Sequence, residues 1–169
     1  MIEFLKGGSM KKLKFISLLG LMFILTLSLM ACETSAKEVS VALYYYNSNL
    51  DKDESGNILC SEKGLQPVER EIKDSENLIE DTIKLLLEGK LTDEEKSKGI
   101  STEYPLEGFK LTKSELKDGV LSLYFEDPYF KTSGGACRVK ILWIQIENTA
   151  RQFSEVKEVK FYPEELFQP

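Results

Sequence analysis

No histidine occurs in the 169 residues of this chain. That absence excludes Ser-His-Asp and Cys-His nucleophilic catalysis and histidine-ligated zinc, and it removes the commonest general base. Positive charge is also short, with 22 Lys and Arg against 28 Asp and Glu. Residues 1–31 hold four lysines and one glutamate, so the rest of the chain carries 18 basic and 27 acidic side chains. A surface of that balance argues against nucleic acid, which needs a basic face, and against electrostatic adhesion to anionic lipid. There is no internal repeat and no low-complexity segment. Acids are plentiful, so paired-carboxylate chemistry stays open, yet no pair stands at a recognisable spacing.

What is present begins with an address. Lys11, Lys12 and Lys14 precede fifteen uncharged residues, Phe15 to Leu29. The run ends in Leu29-Met30-Ala31-Cys32. A charged n-region, an apolar h-region and a small residue before the cleavage point define a secretory signal. Its end resembles a bacterial lipobox, in which Cys32 is diacylated and becomes the new N-terminus. A spanning helix needs about 20 apolar residues, more than this run offers. A core helix would be amphipathic, whereas Ile16 to Met30 is apolar nearly all round. The alternatives are an uncleaved anchor or ordinary cleavage. Translation is expected to start at Met10, because Lys6-Gly7-Gly8 can be encoded by a ribosome-binding sequence. The resulting division is a lipoprotein signal peptide at 1–31, a lipid-anchored tether at 32–38 and one domain at 39–169. The expected location is the extracytoplasmic face of the cell membrane. Two or three acyl chains would hold it there, at about 0.8 kcal/mol per buried CH2.

With Cys32 spent on lipid, Cys60 and Cys137 remain as an even pair in an oxidising compartment. A disulfide is the default there, and two buried free thiols are the alternative. The bridge would close a loop of 77 residues, which the chain-entropy model values at about 4–5 kcal/mol.

Strand and helix patterns follow in alternation. Ser40 to Tyr46 is β-branched and aromatic, and Gln66 to Ile72 alternates, so both read as strands. Ile79, Ile83, Leu86 and Leu87 make an apolar stripe on a helix from about Glu76 to Glu88, ended by Gly89. Thr92-Asp-Glu-Glu95 opens a short turn in capping-box style. Two extended runs, 109–116 and 120–125, flank Lys117-Asp118-Gly119. That is the strongest hairpin signal in the chain, with Leu121, Leu123 and Phe125 facing the core. Gly134-Gly135 precedes a helix from about Ala136 to Phe153, on which Val139, Leu142, Trp143, Ile146, Ala150 and Phe153 form the apolar face. Val156 to Phe161 alternates as a last strand. The order β-β-α-β-β-α-β implies an α+β sandwich, its sheet mostly antiparallel, with two main helices on one side.

One loop fits a metal pattern. Asp51, Asp53, Ser55 and Glu62 occupy ligand positions of a twelve-residue calcium loop, with Gly56 at its sixth place. The flanking helices are missing, so a solvated acidic loop is the competing reading. No metal or cofactor is assigned on this pattern, and calcium stays open. Of Tyr44, Tyr45 and Tyr46, one or two are expected in the core. Arg70 is expected in a surface ion pair, and Gln145 and Thr149 share a helix face.

These segments together resemble the GerMN domain of sporulation and spore germination. The resemblance rests on Val41-Ala-Leu-Tyr-Tyr45, Val68-Glu-Arg70, Lys84 to Gly89, Lys117 to Phe125, Gln145-Ile-Glu-Asn-Thr149 with Gln152-Phe153, and Val156-Lys-Glu-Val-Lys-Phe161. Lys90 after Gly89 and Tyr162-Pro163-Glu164 depart from the family pattern. Cys60 and Gly134-Gly-Ala-Cys137-Arg138 resemble a cysteine-containing branch, which adds support for the bridge. The resemblance implies a small α/β sandwich and no catalytic residues. The expected function is therefore a non-catalytic, lipid-anchored interaction or assembly module of the cell envelope. Its partners would be the membrane, through the lipid, and an unidentified envelope protein. The alternative is a cell-wall-directed carboxylate enzyme or a small-ligand-binding lipoprotein.

Overall fold

The computed structural model describes residues 37–168. Strand β1, Glu38–Tyr46, pairs antiparallel with β2, Leu65–Lys73, from Glu38 opposite Lys73 to Tyr46 opposite Leu65. Val41, Leu43 and Tyr45 alternate onto the buried face, as a period of two requires. Helix α1, Leu78–Leu87, buries Ile83, Leu86 and Leu87. Gly89 ends it at φ +62°, and a Cβ there would collide with the Tyr104 carbonyl, so only glycine fits. The short α2, Asp93–Ser97, has the full capping box: Thr92 accepts from the Glu95 N–H while Glu95 accepts from the Thr92 N–H.

Strands β3, Lys110–Lys117, and β4, Val120–Glu126, form the expected hairpin. Asp118 and Gly119 both have positive φ, at 53° and 85°, the requirement of a two-residue turn matched to strand twist. Helix α3, Ala136–Arg151, then carries the chain back, and β5, Glu158–Tyr162, pairs parallel with β4. A helical crossover returns a chain in its original direction, so this pair is parallel. The five strands therefore divide into a two-stranded β1–β2 sheet and a three-stranded sheet in the order β3-β4-β5. Helix α1 lies against β1, β3 and α3, and α3 lies against β1, β5 and α1.

The core sits between these layers. Leu121, Leu123 and Phe125 enter it from β4 as expected, beside Leu142 and Ile146 of α3. Phe109 stacks on Phe125 with centroids 4.9 Å apart, and Phe167 meets Phe109 edge-on at 5.9 Å. Trp143 corrects the sequence reading. It is 41% exposed, and its ring meets Phe161 edge-on with centroids 6.1 Å apart. Helical spacing places it at the border of the apolar stripe, where the two sheets leave its outer side uncovered.

Candidate functional site

Three polar constructions organise the surface-facing half of the domain. The first is the loop between β1 and β2. Asp51 is buried, and its carboxylate accepts from the Tyr46 hydroxyl at 2.5 Å and from the Ser61 N–H and hydroxyl at 2.6 Å each. Burial opposes ionisation there, but the bonds from Ser61 and Tyr46 outweigh it and hold the carboxyl below its ordinary value. Asp53 folds the loop tip by accepting from the Ser55 and Asn57 N–H groups and the Asn57 amide. The candidate calcium ligands Asp51, Asp53, Ser55 and Glu62 are thus not gathered at one point. Asp51 turns inward and Asp53 serves its own turn, while Ser55 and Glu62 are exposed. Among the described residues no three acids or cysteines converge as a metal site.

The loop is tied to α3. Cys60 and Cys137 are bonded across 5.4 Å between Cα atoms, pinning residue 60 to the first turn of the helix. Cys32 lies outside the described residues. Arg138, next along that turn, donates to Glu103 at 2.6 Å and to the carbonyls of Lys131 and Ser133.

The second construction is the Arg70–Glu95 pair. The guanidinium meets the carboxylate two-pronged, at 2.8 and 2.9 Å, and the same two terminal nitrogens also donate to the carbonyls of Glu69 and Lys90. The acidic surroundings of Arg70 in the sequence point to an ion pair but not to its partner, 25 positions away on α2. The bonds from Arg70, against a smaller cost of burial and with help from Thr92, hold Glu95 at a pKa of about 2. A carboxyl lowered from 4.5 in this way contributes stability above pH 4.5, and that contribution is lost as pH falls towards 2. After solvent screening it is worth about 1–2 kcal/mol. Wild type should therefore out-melt Glu95→Gln at pH 6, and the gap should close between pH 4.5 and 2. A gap that stays constant over that range would sink this assignment.

The third construction is the seam between α3 and the outer edge of β1. The Gln152 amide accepts from the Ala42 N–H at 2.8 Å and donates to the Ala42 carbonyl at 2.7 Å. Thr149 accepts from the Tyr44 N–H at 3.0 Å. Helix side chains here replace a missing neighbouring strand. Gln145, one turn earlier, is fully buried, donates to the Ile141 carbonyl, and has its oxygen without a bond among the described residues. The sequence places Gln145 and Thr149 on one face, but the third member, Gln152, showed only as part of the family block. Of the three tyrosines, Tyr45 and Tyr46 are buried and Tyr44 is half-buried.

Each described carboxyl whose ionisation shifts is shifted down: Asp51, Asp53, Glu80, Glu94, Glu95 and Glu115. A general acid needs the opposite displacement. The groove where Asp81 and Glu88 meet Lys73 and Lys84 is open, and those acids take bonds from Ser75 and Lys90. A cleft of about 250 Å³ with mixed lining lies beside β5, bordered by Trp143, Phe161, Leu166, Lys160 and Glu164.

Comparison with known proteins places this geometry. No curated protein matches the chain in sequence. The tandem GerMN domains of the sporulation protein GerM from Bacillus subtilis share the fold, with a TM-score of 0.53 at 21% identity over 80% of this chain. The chain spans 43% of that relative. A putative lipoprotein from Clostridium perfringens aligns at 16% identity over 79% of this chain and 81% of that one, with a TM-score of 0.38. The family model for sporulation and spore germination domains, Germane, matches residues 42–165. That span runs from the Ala42 rung clamped by Gln152 to the turn after β5, and the chain belongs to the Germane family.

Proposed function

We propose that this protein is a lipid-anchored module on the extracytoplasmic face of the cell membrane, and that it acts by binding another envelope protein, without catalysis. The observation that carries this reading is the use made of the polar side chains. Asp51, Glu95, Thr149 and Gln152 are spent on the domain's own backbone and side chains. The carboxyls that shift all shift towards permanent ionisation. The Germane family is not a known enzyme family, and the relative with the shared fold is a sporulation protein. Among the described residues no helix is long and apolar enough to cross a membrane; in this reading the lipid on Cys32 is the anchor.

Two measurements test it. Cys32→Ala should leave an unprocessed precursor and abolish incorporation of labelled fatty acid; labelling that persists would refute the anchor. Single alanine changes at exposed acids outside the Asp51–Glu62 loop and the hairpin turn, such as Glu76, Glu155 and Glu164, should leave function in cells intact, because such changes cost within about 0.5 kcal/mol of stability. One such change that abolishes function in a fully folded chain would promote the carboxylate enzyme instead.

A further inference from the structure

The two sheets have four outer edges, and three are guarded. The β1 edge is taken by Gln152 and Thr149. On β2, Pro67 lacks a donor, and Glu69, Glu71 and Lys73 stud the strand with charge. On β3, Glu80 accepts from the Ser114 N–H and hydroxyl, a register shift interrupts the strand after Leu111, and Lys110, Lys113 and Lys117 line it.

The β5 edge differs. The Glu158 N–H donates to the Gly119 carbonyl, which fixes the phase of the parallel ladder. Residues 158, 160 and 162 then turn their peptide groups to β4, and Val159 and Phe161 turn theirs outward. Among the described residues no turn or loop backbone bonds to those outward groups. Beside them lies the cleft bordered by Phe161 and Lys160, with the exposed Trp143 on its helix-bearing side.

We propose that β5 pairs antiparallel with β5 of a second copy of this chain, about a twofold axis through Val159, giving one six-stranded sheet. Charge selects both the occupant and the register. Pairing about Val159 sets Glu158 opposite Lys160 of the second copy, and Lys160 opposite its Glu158, on the same sheet face. Pairing about Lys160 would set two lysines opposite each other, which is unfavourable. Val159 meets Val159, and the added strand runs along the uncovered side of Trp143. Self-pairing of this kind closes after two copies, because the other outer edge of that sheet, β3, is guarded.

The test uses the full chain in native membranes. In this geometry the two Val159 Cα atoms stand about 5.5 Å apart, within disulfide reach. Mild oxidation of Val159→Cys should give a covalent dimer, and Leu116→Cys, exposed on the far hairpin, should not. Should Val159→Cys itself disturb the strand, charge variants read the same contact. Glu158→Lys or Lys160→Glu alone should weaken the dimer about tenfold, and the double exchange should restore it. Trp143 is the chain's one tryptophan, so the unmodified protein in detergent should show a blue-shifted emission as its measured mass doubles. A monomer at all concentrations, equal crosslinking at residue 116, crosslinking of residue 159 only to a different protein, or a double exchange that fails to restore pairing would each overturn the proposal.

Discussion

Asp51→Ala is expected to cost about 3–5 kcal/mol of folding stability, the largest loss for any polar side chain in the domain. The substitution removes one carboxylate and strands three donors: the Tyr46 hydroxyl and the N–H and hydroxyl of Ser61. Those groups sit beside a residue 1% exposed, where water cannot freely replace the lost acceptor. Asp51→Asn keeps one acceptor oxygen for Tyr46 and the Ser61 N–H and turns an amide towards the Ser61 oxygen, so it should cost about half as much. Urea unfolding of the two variants side by side is the measurement. A loss under about 1 kcal/mol for the alanine variant would show that the loop is not held this way.

Gln152→Ala should cost about 2–3 kcal/mol, although it stands at the C-terminal end of α3, where truncations are normally mild. The amide serves both groups of the Ala42 peptide, and truncation leaves both unpaired on a strand edge facing α3. Gln152→Glu separates hydrogen bonding from shape. Its carboxylate can still accept from the Ala42 N–H, but its second oxygen opposes the Ala42 carbonyl, so it should be at least as destabilising at pH 7. Hydrogen exchange at the Ala42 and Tyr44 amides gives a local readout: both should speed up in the variants. Unchanged protection at Ala42 would remove the clamp.

Much of the fold was legible because its signals are local. The Asp118-Gly119 turn, the Thr92 capping box and the stripe of Ile83, Leu86 and Leu87 each declare themselves within a few residues. Long-range pairing was not legible. The split into two sheets depends on where β1 and β4 find neighbours, and alternation alone is the same for either arrangement. Trp143 was misplaced for a related reason: periodicity gives a face, while burial depends on how far the neighbouring layers extend over it. The calcium pattern around Asp51 leaves the metal open because ligand spacing says nothing about which way a carboxylate turns. Its nearest competitor for Asp51, the Tyr46 hydroxyl, stands five positions before it on a different element. The bridge between Cys60 and Cys137 was the exception, reachable from compartment and count alone.

The Gln152–Ala42 clamp bears on mechanical load. Strand β1 begins at Glu38, at the first rung opposite Lys73. A pull on the chain ahead of Lys37 therefore acts on that rung and peels β1 away from β2 one pair at a time, the weak direction for an antiparallel ribbon. Four positions in, the peeling front meets Ala42, and two positions later Tyr44, both held from the opposite side by α3. From there the strand must be torn from a sheet and a helix at once. The clamp makes the first few residues of β1 a yielding cuff and sets the point, at Ala42, where the strand begins to resist.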